Sequence, residues 1–444
     1  MSKPLSLTAG PMVPQLVRLC LPLLCANVLQ QLYNVINSLV VARYLGSGAF
    51  AALGVAESVM NLFIYVITGA CMGAGVLVAQ FYGEGNLPRL RQQLYVSALL
   101  IGGCTLTAVV LGQIFLRPLL GLIQTPAELM DDAARYLRIV LVGMLFTFTY
   151  NYLAATLRAV GDTKAALYFL LLSLGYNLAA AWLLVAVLGW GVTGTAVATA
   201  SAQLLSSLLC VWYIRTRRAF LAVGRADRRF DRTLAGRTGS YAAVAALQQS
   251  SLYLGKLMIQ GAVNGIDPVG AAPISAFAAA TRIENFVQAF GISGCETIAI
   301  FAAQNHGAGQ KNRAMGGFLA GMTMTVGVGV AFALVLRQGG TALAGLFLEH
   351  GSRALELAGG YLRTIGGFYL LSFFGHSFVG WYRGEGRMNV TFLCTTVQVG
   401  CRVLGTYLLV PALGLNAVAW ATGLGWVVML AVQLGIFFRE KTAG

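Results

Sequence analysis

Charge is scarce in this sequence. Only 10% of its 444 residues are Asp, Glu, Lys or Arg, against about 25% in ordinary soluble domains. With 58% hydrophobic residues besides, a water-soluble fold is excluded, because too much apolar surface would remain near water. Histidine is rarer still, at three residues, and none is spaced as a metal ligand. The eight cysteines include no C-x-x-C pair and fall in or beside apolar runs, so they read as small buried hydrophobes. No Walker lysine loop occurs, so the chain carries no ATP-binding domain of its own. One soluble-enzyme pattern does appear, Gly189-x-Gly191-x-x-Gly194. It follows a long apolar stretch rather than a strand and has no acidic residue about 20 positions on, so it reads as a hairpin turn. No nucleophile–base pair or metal set is evident, which argues against an enzyme. Met1–Gly10 lacks the short apolar core and small-residue cut site of a cleavable signal.

What is abundant is apolar sequence in long runs. Stretches able to cross a bilayer cover approximately 16–40, 50–80, 94–116, 136–158, 165–188, 192–214, 238–261, 272–303, 314–336, 359–382, 390–411 and 415–438. The 54 glycines suit helices that must approach closely in lipid. The net charge of +15 is explained by its placement. With both termini cytoplasmic, 20 of the 30 Lys and Arg fall on the inner side, eight of them between 215 and 237, against seven on the outer side. That is the positive-inside asymmetry. No basic face interleaved with aromatics appears on a soluble module, so nucleic acid is not an expected partner.

The chain repeats itself. Tyr136-Leu137-Arg138 recurs as Tyr361-Leu362-Arg363, Arg158 and Gly161 as Arg383 and Gly386, and Gly189 as Gly414, all 225 residues on. Gln80-x-x-Gly83-x-Gly85-x-x-x-Arg89 recurs 224 residues on as Gln304-x-x-Gly307-x-Gly309-x-x-x-Arg313, and Asn61 recurs as Asn285. Gln30-Gln31 and Tyr33 resemble Gln248-Gln249 and Tyr253. Six spans per half make the repeats parallel, related by a pseudo-two-fold axis along the membrane normal. The expected architecture is an all-α integral membrane protein of twelve helices in two six-helix bundles. An N-terminal lobe would cover 1–214, a basic cytoplasmic linker 215–237, and a C-terminal lobe 238–444. Two linked lobes suit alternating access, and hence a secondary transporter.

Charges inside spans cost several kcal/mol unless paired or wet, so they mark function or latching. There are six: Glu57 in span 2, Lys256 in span 7, Arg282, Glu284 and Glu296 in span 8, and Arg402 in span 11. Two readings stand for them. They are inter-lobe salt bridges, or Glu57 or Glu284 carries a proton or binds a cation in the cleft. Arg402, opposite the neutral repeat position Asn177, reads as structural. His376 reads as a packing residue with a proton site as the alternative. The turns Gly83-Glu84-Gly85 and Gly307-Ala308-Gly309 read as helix stops, and Gly69-x-x-x-Gly73 and Gly317-x-x-x-Gly321 as packing notches.

The run Gln30-Gln31-Leu32-Tyr33-Asn34-Val35-Ile36-Asn37, with Gly46 and Ala52-Leu53-Gly54, resembles the opening of MATE (multidrug and toxic compound extrusion) transporters. So do Gln80 to Arg89, Arg158-x-x-Gly161-Asp162-Thr163, Ala303-Gln304-Asn305-x-Gly307-Ala308-Gly309 and Arg383-Gly384-x-Gly386. The resemblance covers nearly the whole chain and points to the family's bacterial DinF-like branch. It implies export of organic cations in exchange for H+ or Na+. Where many members carry an aspartate, this sequence has Asn37 and Ala181. Ser372 stands at an acidic position of one branch, and Gln248 or Gln249 replaces a family glutamate. The usual coupling carboxylates are largely absent.

The expectation is therefore an antiporter of small organic cations, monomeric, multi-pass in a bacterial inner membrane, with no cofactor beyond the coupling ion. Glu57 and Glu284 would alternate between proton and substrate, with Glu296 as a further acidic candidate. Asn37, Gln30, Asn61, Asn177, Gln249 and Asn285 would supply neutral polar contacts, and Tyr33 and Tyr253 would stack on a flat cation. The alternative is a flippase or exporter for an anionic amphiphile or lipid-linked sugar, whose headgroup Lys256 and Arg282 would bind.

Overall fold

A computed structural model describes residues 6–122, 125–267 and 270–443. The side chains of 34, 35, 37–53, 55, 127, 440, 441 and 443 lie outside the described residues. The described chain is helical throughout: α1 (Met12–Gly83), α2 (Leu87–Ile114), α3 (Leu116–Leu122), α4 (Ala127–Ala159), α5 (Thr163–Ala181) and α6 (Gly191–Arg217), then α7 (Arg232–Asn264), α8 (Ala272–Gly307), α9 (Lys311–Ala344), α10 (Arg353–Gly366), α11 (Tyr369–Gly384), α12 (Met388–Leu413) and α13 (Asn416–Ala443). Backbone groups in lipid must find partners within their own segment, and a helix provides them.

Among the described residues, ten segments are long and apolar enough to cross a membrane. Two of them, Met12–Tyr33 and Ala56–Gly83, share the single helix α1, since no proline interrupts residues 23–87. The other two expected spans have structural explanations. α7 is diluted by Gln248, Gln249, Ser250, Ser251 and Lys256, and the tenth span is divided between α10 and α11 at Gly367 and Phe368.

The repeat is visible in the backbone. Gly85 and Gly309 stop their helices at φ 72° and 71°, and Gly161 and Gly386 turn at 81° and 82°. A side chain at these angles is strained, which is why the repeated glycines stand there. Gly189 and Gly191, at φ 67° and 56°, form the turn between α5, extended by a π-helical turn over Trp182–Val187, and α6.

The chain divides into two compact units. One comprises Met1–Ala9, Cys25–Gln249 and Gly307–Gly309; the other Gly10–Leu24, Ser250–His306 and Gln310–Gly444. In the first, α4 packs on α2, α5 and α6. The start of α7 belongs to it too. A Cβ at Gly69 would lie 2.6 Å from the Ala245 carbonyl oxygen, and one at Gly73 2.3 Å from that of Tyr241. Thr238 accepts a 2.8 Å hydrogen bond from Gln93. Residues 218–229 are tied to the same unit by Arg91–Asp227 at 3.0 Å and by a buried pair, Arg218–Asp162 at 2.7 Å. Tyr213 also donates to Asp162, at 2.8 Å.

In the second unit, α12 pairs with α13, and α9 with α10 and α11. Its core joins Phe277, Tyr361, Leu362, Tyr369, Phe373 and Trp426. The start of α1 packs here. Cys20 lies by Thr297, Leu16 near Gly321, and Arg313 donates to Gln15 at 3.0 Å. Thr297 stands 224 residues after Gly73. Each half's first helix thus begins in the unit that holds most of the other half.

Candidate functional site

Each unit holds a polar cluster inside its membrane helices, and the two share three repeat-related positions. In the first, five helical segments converge. The Tyr33 hydroxyl donates to Asn177 Oδ1 at 2.5 Å, and Asn177 Nδ2 donates to Thr199 at 3.4 Å. The charge of Glu57 acts on both Tyr33 and Tyr136. The Tyr136 hydroxyl also reaches Met60 Sδ at 3.9 Å. Among the described residues, no Lys or Arg lies within ion-pair distance of Glu57. Among the described residues such a carboxylate has phenols beside it and no cation in ion-pair range, and a proton or a cationic ligand can fill that role.

In the second unit, Glu284 is buried with Tyr361 and Tyr369 around it, and Arg402 and Lys256 act on its charge. These come from α8, α10, α11, α12 and α7. Adding 224 or 225 to Met60, Tyr136 and Asn177 gives Glu284, Tyr361 and Arg402. The two clusters are therefore images of one another with the chemistry changed: thioether to carboxylate, amide to guanidinium. Close by, His376 Nδ1 bonds the Ser372 carbonyl at 2.8 Å, and Gln288 donates to the Ser372 hydroxyl at 3.3 Å.

Of the residues singled out in the sequence, Glu57, Tyr33 and Asn177 come together, whereas Lys256 is exposed and only its charge reaches buried Glu284. Arg282 does not join Glu284. It is exposed and lies over the Phe347 ring at 5.7 Å. Glu296 acts on Cys20 and Cys295; twelve residues along a helix place it about 18 Å from Glu284. Gln30 is exposed, Asn61, Gln249 and Asn285 are half-buried, and Tyr253 is buried. Asn37 has its side chain outside the described residues. Sequence reading did not single out Tyr136, Thr199, Tyr361 or Tyr369 as site residues, and read Arg402 as structural. The signal was available for two of them, because the Tyr-Leu-Arg repeat contains both Tyr136 and Tyr361.

The described residues include no group of His, Cys, Asp and Glu able to hold a metal ion.

The sequence matches the MatE family over residues 22–183 and 245–408, one segment in each half and together most of the chain. It is 26% identical over 307 residues to a protein of Bacillus subtilis named "Probable multidrug resistance protein YpnP", covering 69% of this chain and 68% of that one. It is also 26% identical over 279 residues to a protein of Shewanella oneidensis named "FAD transporter", covering 61% of this chain and 60% of that one. Among solved structures, a MOP superfamily transporter from Pyrococcus furiosus superposes with a TM-score of 0.90 at 20% identity, over 100% of this chain and 98% of that one. At that identity the likeness establishes the fold, which is the two-lobed, twelve-helix fold of MATE transporters. With the family matched across both halves, the all-helical fold and the paired intramembrane clusters, this chain belongs to the MatE family and is a multi-pass membrane transporter rather than an enzyme.

Proposed function

We propose that this transporter exports small organic cations in antiport with protons, by alternating access of its two halves, 1–214 and 238–444, about the basic linker 215–237. The observation that carries the reading is Glu57, a carboxylate in a membrane helix with Tyr33 and Tyr136 beside it and no cation in ion-pair range among the described residues. It stands in the unit where Asn37 and Ala181 leave the family's usual carboxylate positions neutral. Glu57 exchanges a proton for the substrate cation, and the Tyr33–Asn177–Thr199 chain of hydrogen bonds fixes the wall around it. The name of the Bacillus relative supports a drug-like substrate. The excess of Lys and Arg on the linker side supports cytoplasmic termini and a bacterial inner-membrane location.

The test is uptake of a fluorescent lipophilic cation into proteoliposomes under an imposed pH gradient, and separately under a sodium gradient. Wild type is expected to move the cation with the pH gradient, and Glu57→Gln to lose that movement. Arg282→Gln should transport like wild type, because Arg282 is exposed and turned to Phe347 rather than to Glu284. Cation movement by Glu57→Gln equal to wild type would remove Glu57 from the coupling role. Movement driven by sodium alone would replace the proton as the coupling ion.

A second reading, export of an anionic amphiphile, is favoured by two observations. One is the cationic side chain of Arg402 in the second cluster, with the charge of exposed Lys256 also reaching Glu284. The other is the likeness to proteins described as an FAD transporter and as having a binding pocket of reversed polarity.

A further inference from the structure

Between α6 and α7, residues 215–237 carry eight arginines against two aspartates. Such a charge run is ordinarily a solvated, flexible connection. Here the connection is fastened down within the first unit. Arg218 is buried against Asp162 at 2.7 Å, Leu221 is buried, and the Phe220 ring lies 6.1 Å from that of Tyr82. Further on, Arg91 pairs with Asp227 at 3.0 Å, and Gln92 donates to the Arg229 carbonyl at 3.3 Å.

The last two contacts set the depth of the segment. Arg91 and Gln92 are the fifth and sixth residues of α2, a membrane-spanning helix of 28 residues. At 1.5 Å per residue α2 is about 42 Å long. The hydrocarbon core is about 30 Å thick, so a centred α2 reaches about 6 Å beyond it at each end. Its fifth residue therefore stands at the boundary between headgroups and acyl chains. Asp227 and Arg229, bonded to that level, lie at the depth of the lipid headgroups.

The arginines there are exposed, and their own aspartates are engaged elsewhere. Asp227 is paired with Arg91 and accepts the Gly224 N–H at 2.9 Å. Asp231 accepts the N–H groups of Thr233 and Leu234, at 2.8 and 3.1 Å, in the first turn of α7. Among the described residues, no carboxylate lies in ion-pair range of Arg225, Arg228, Arg229 or Arg232, all of them exposed. A turn closed by the Arg228 N–H on the Arg225 carbonyl, at 3.4 Å, brings those two backbones within about 7 Å. Like charges held together repel, and an anion between them relieves the repulsion. Beside them Phe230 is 57% exposed, as is Trp212 near the end of α6. Exposed aromatic rings next to arginines at headgroup depth act as interfacial anchors.

We propose that Arg225, Arg228, Arg229 and Arg232, with Phe230 among them, form a docking face for the headgroups of anionic phospholipids. The guanidinium groups hold the lipid phosphates by paired hydrogen bonds, and Phe230 enters the boundary with the acyl chains. Fastening to α2 and to Asp162 keeps the face at that depth, so lipid binds without first ordering a loop. With cytoplasmic termini the lipid belongs to the inner leaflet. The inference goes beyond cation export and stands without Glu57 or any coupling ion.

The test is binding of a fluorescent phosphatidylglycerol, and of phosphatidylcholine with the same acyl chains, to the full chain in neutral detergent. Wild type is expected to prefer phosphatidylglycerol about ten-fold or more, at roughly five-fold for each engaged arginine, and to lose most of that preference in high salt. The triple variant Arg225→Gln, Arg228→Gln, Arg229→Gln should bind both lipids alike. A second triple, Arg89→Gln, Lys164→Gln, Lys311→Gln, removes the same charge from exposed residues outside the segment and should keep the preference. Both are compared at an unchanged unfolding temperature. The double variant Arg228→Gln, Arg229→Gln should lose part of the preference, and it carries the test where the first triple does not fold. Phe230→Ser should weaken both lipids and leave the preference in place. Equal binding of the two lipids by wild type overturns the proposal, as does equal loss in the two triples or wild-type binding by the folded double. Displacement by inorganic phosphate or by single-stranded RNA, as effective as by unlabelled phosphatidylglycerol, also overturns it and makes the face a site for free phosphate or nucleic acid.

Discussion

Asp162→Ala is expected to remove most of the folded protein, more than a change to any exposed charge in the linker 215–237. Asp162 immediately precedes α5 without a side-chain cap bond to it, and stands 2.7 Å from Arg218, which binds it through both Nε and Nη2, while Tyr213 donates a third bond at 2.8 Å. Both ionic partners are about nine-tenths buried, at 10% and 9% exposure. Removing the carboxylate leaves a guanidinium buried without a counter-charge and a phenol without an acceptor. Breaking one side of such a pair costs about 3–5 kcal/mol. The measurement is the unfolding temperature and monodisperse yield of the detergent-purified protein. The double variant Asp162→Ala with Arg218→Ala should recover part of the loss, since it removes the orphaned charge as well. Arg117→Ala supplies the contrast. Its partner Asp131 is equally close, at 2.8 Å, but the pair is 65% and 76% exposed, so solvent screening holds its contribution to about 0–1 kcal/mol. If Asp162→Ala melts with Arg117→Ala, the buried pair does not anchor the segment after α6.

How much of this was legible in the sequence depends on the length scale of the signal. Spans and the two-fold repeat follow from local composition and from matched residues such as Gly161 and Gly386, and the backbone repeats their φ angles to within a degree. The clusters were legible only in part. A carboxylate in an apolar run, such as Glu57 or Glu284, is conspicuous because burying it is costly. A tyrosine in the same run is not, since phenols populate membrane helices for several reasons, and Tyr369 has nothing in its neighbourhood to single it out. Arg282 misled for the opposite reason. Two residues from Glu284 in sequence, it points about 200° away around the helix, toward Phe347. Arg402 shows the use of comparing the halves: its repeat equivalent, Asn177, sits in the first unit's polar cluster, and Arg402 itself acts on Glu284 in the second. Which unit claims the first turns of α1 and α7 was not legible at all, because it depends on long-range packing between segments far apart in the chain.

That packing leads to the other large effect: Gly73→Val is expected to lower the unfolding temperature by several degrees and to abolish transport. A Cβ at Gly73 would lie 2.3 Å from the Tyr241 carbonyl oxygen and 2.7 Å from its carbonyl carbon, and one at Gly69 2.6 Å from the Ala245 oxygen. These obstacles are backbone atoms of α7, which cannot rotate aside as a side chain can. The helix itself must move, and overpacking of this kind costs about 1–3 kcal/mol or more. Close approach through small residues is also what holds membrane helices together where lipid competes for apolar surface. The loss therefore combines strain with forfeited contact. Gly103→Ala is the control, because its added carbon meets nothing within 4 Å; it should match wild type within measurement. In the second unit the repeat equivalent of Gly73 is Thr297, which lies by Cys20 at the start of α1. Here the approach runs through a hydroxyl rather than a bare backbone, so Thr297→Val, which keeps the shape and removes one hydrogen-bonding atom, should cost about 1 kcal/mol or less. Equal damage from Gly73→Val and Thr297→Val would mean that the two first helices are held by the same contact, and that the glycine at 73 is not required by the approach of α7.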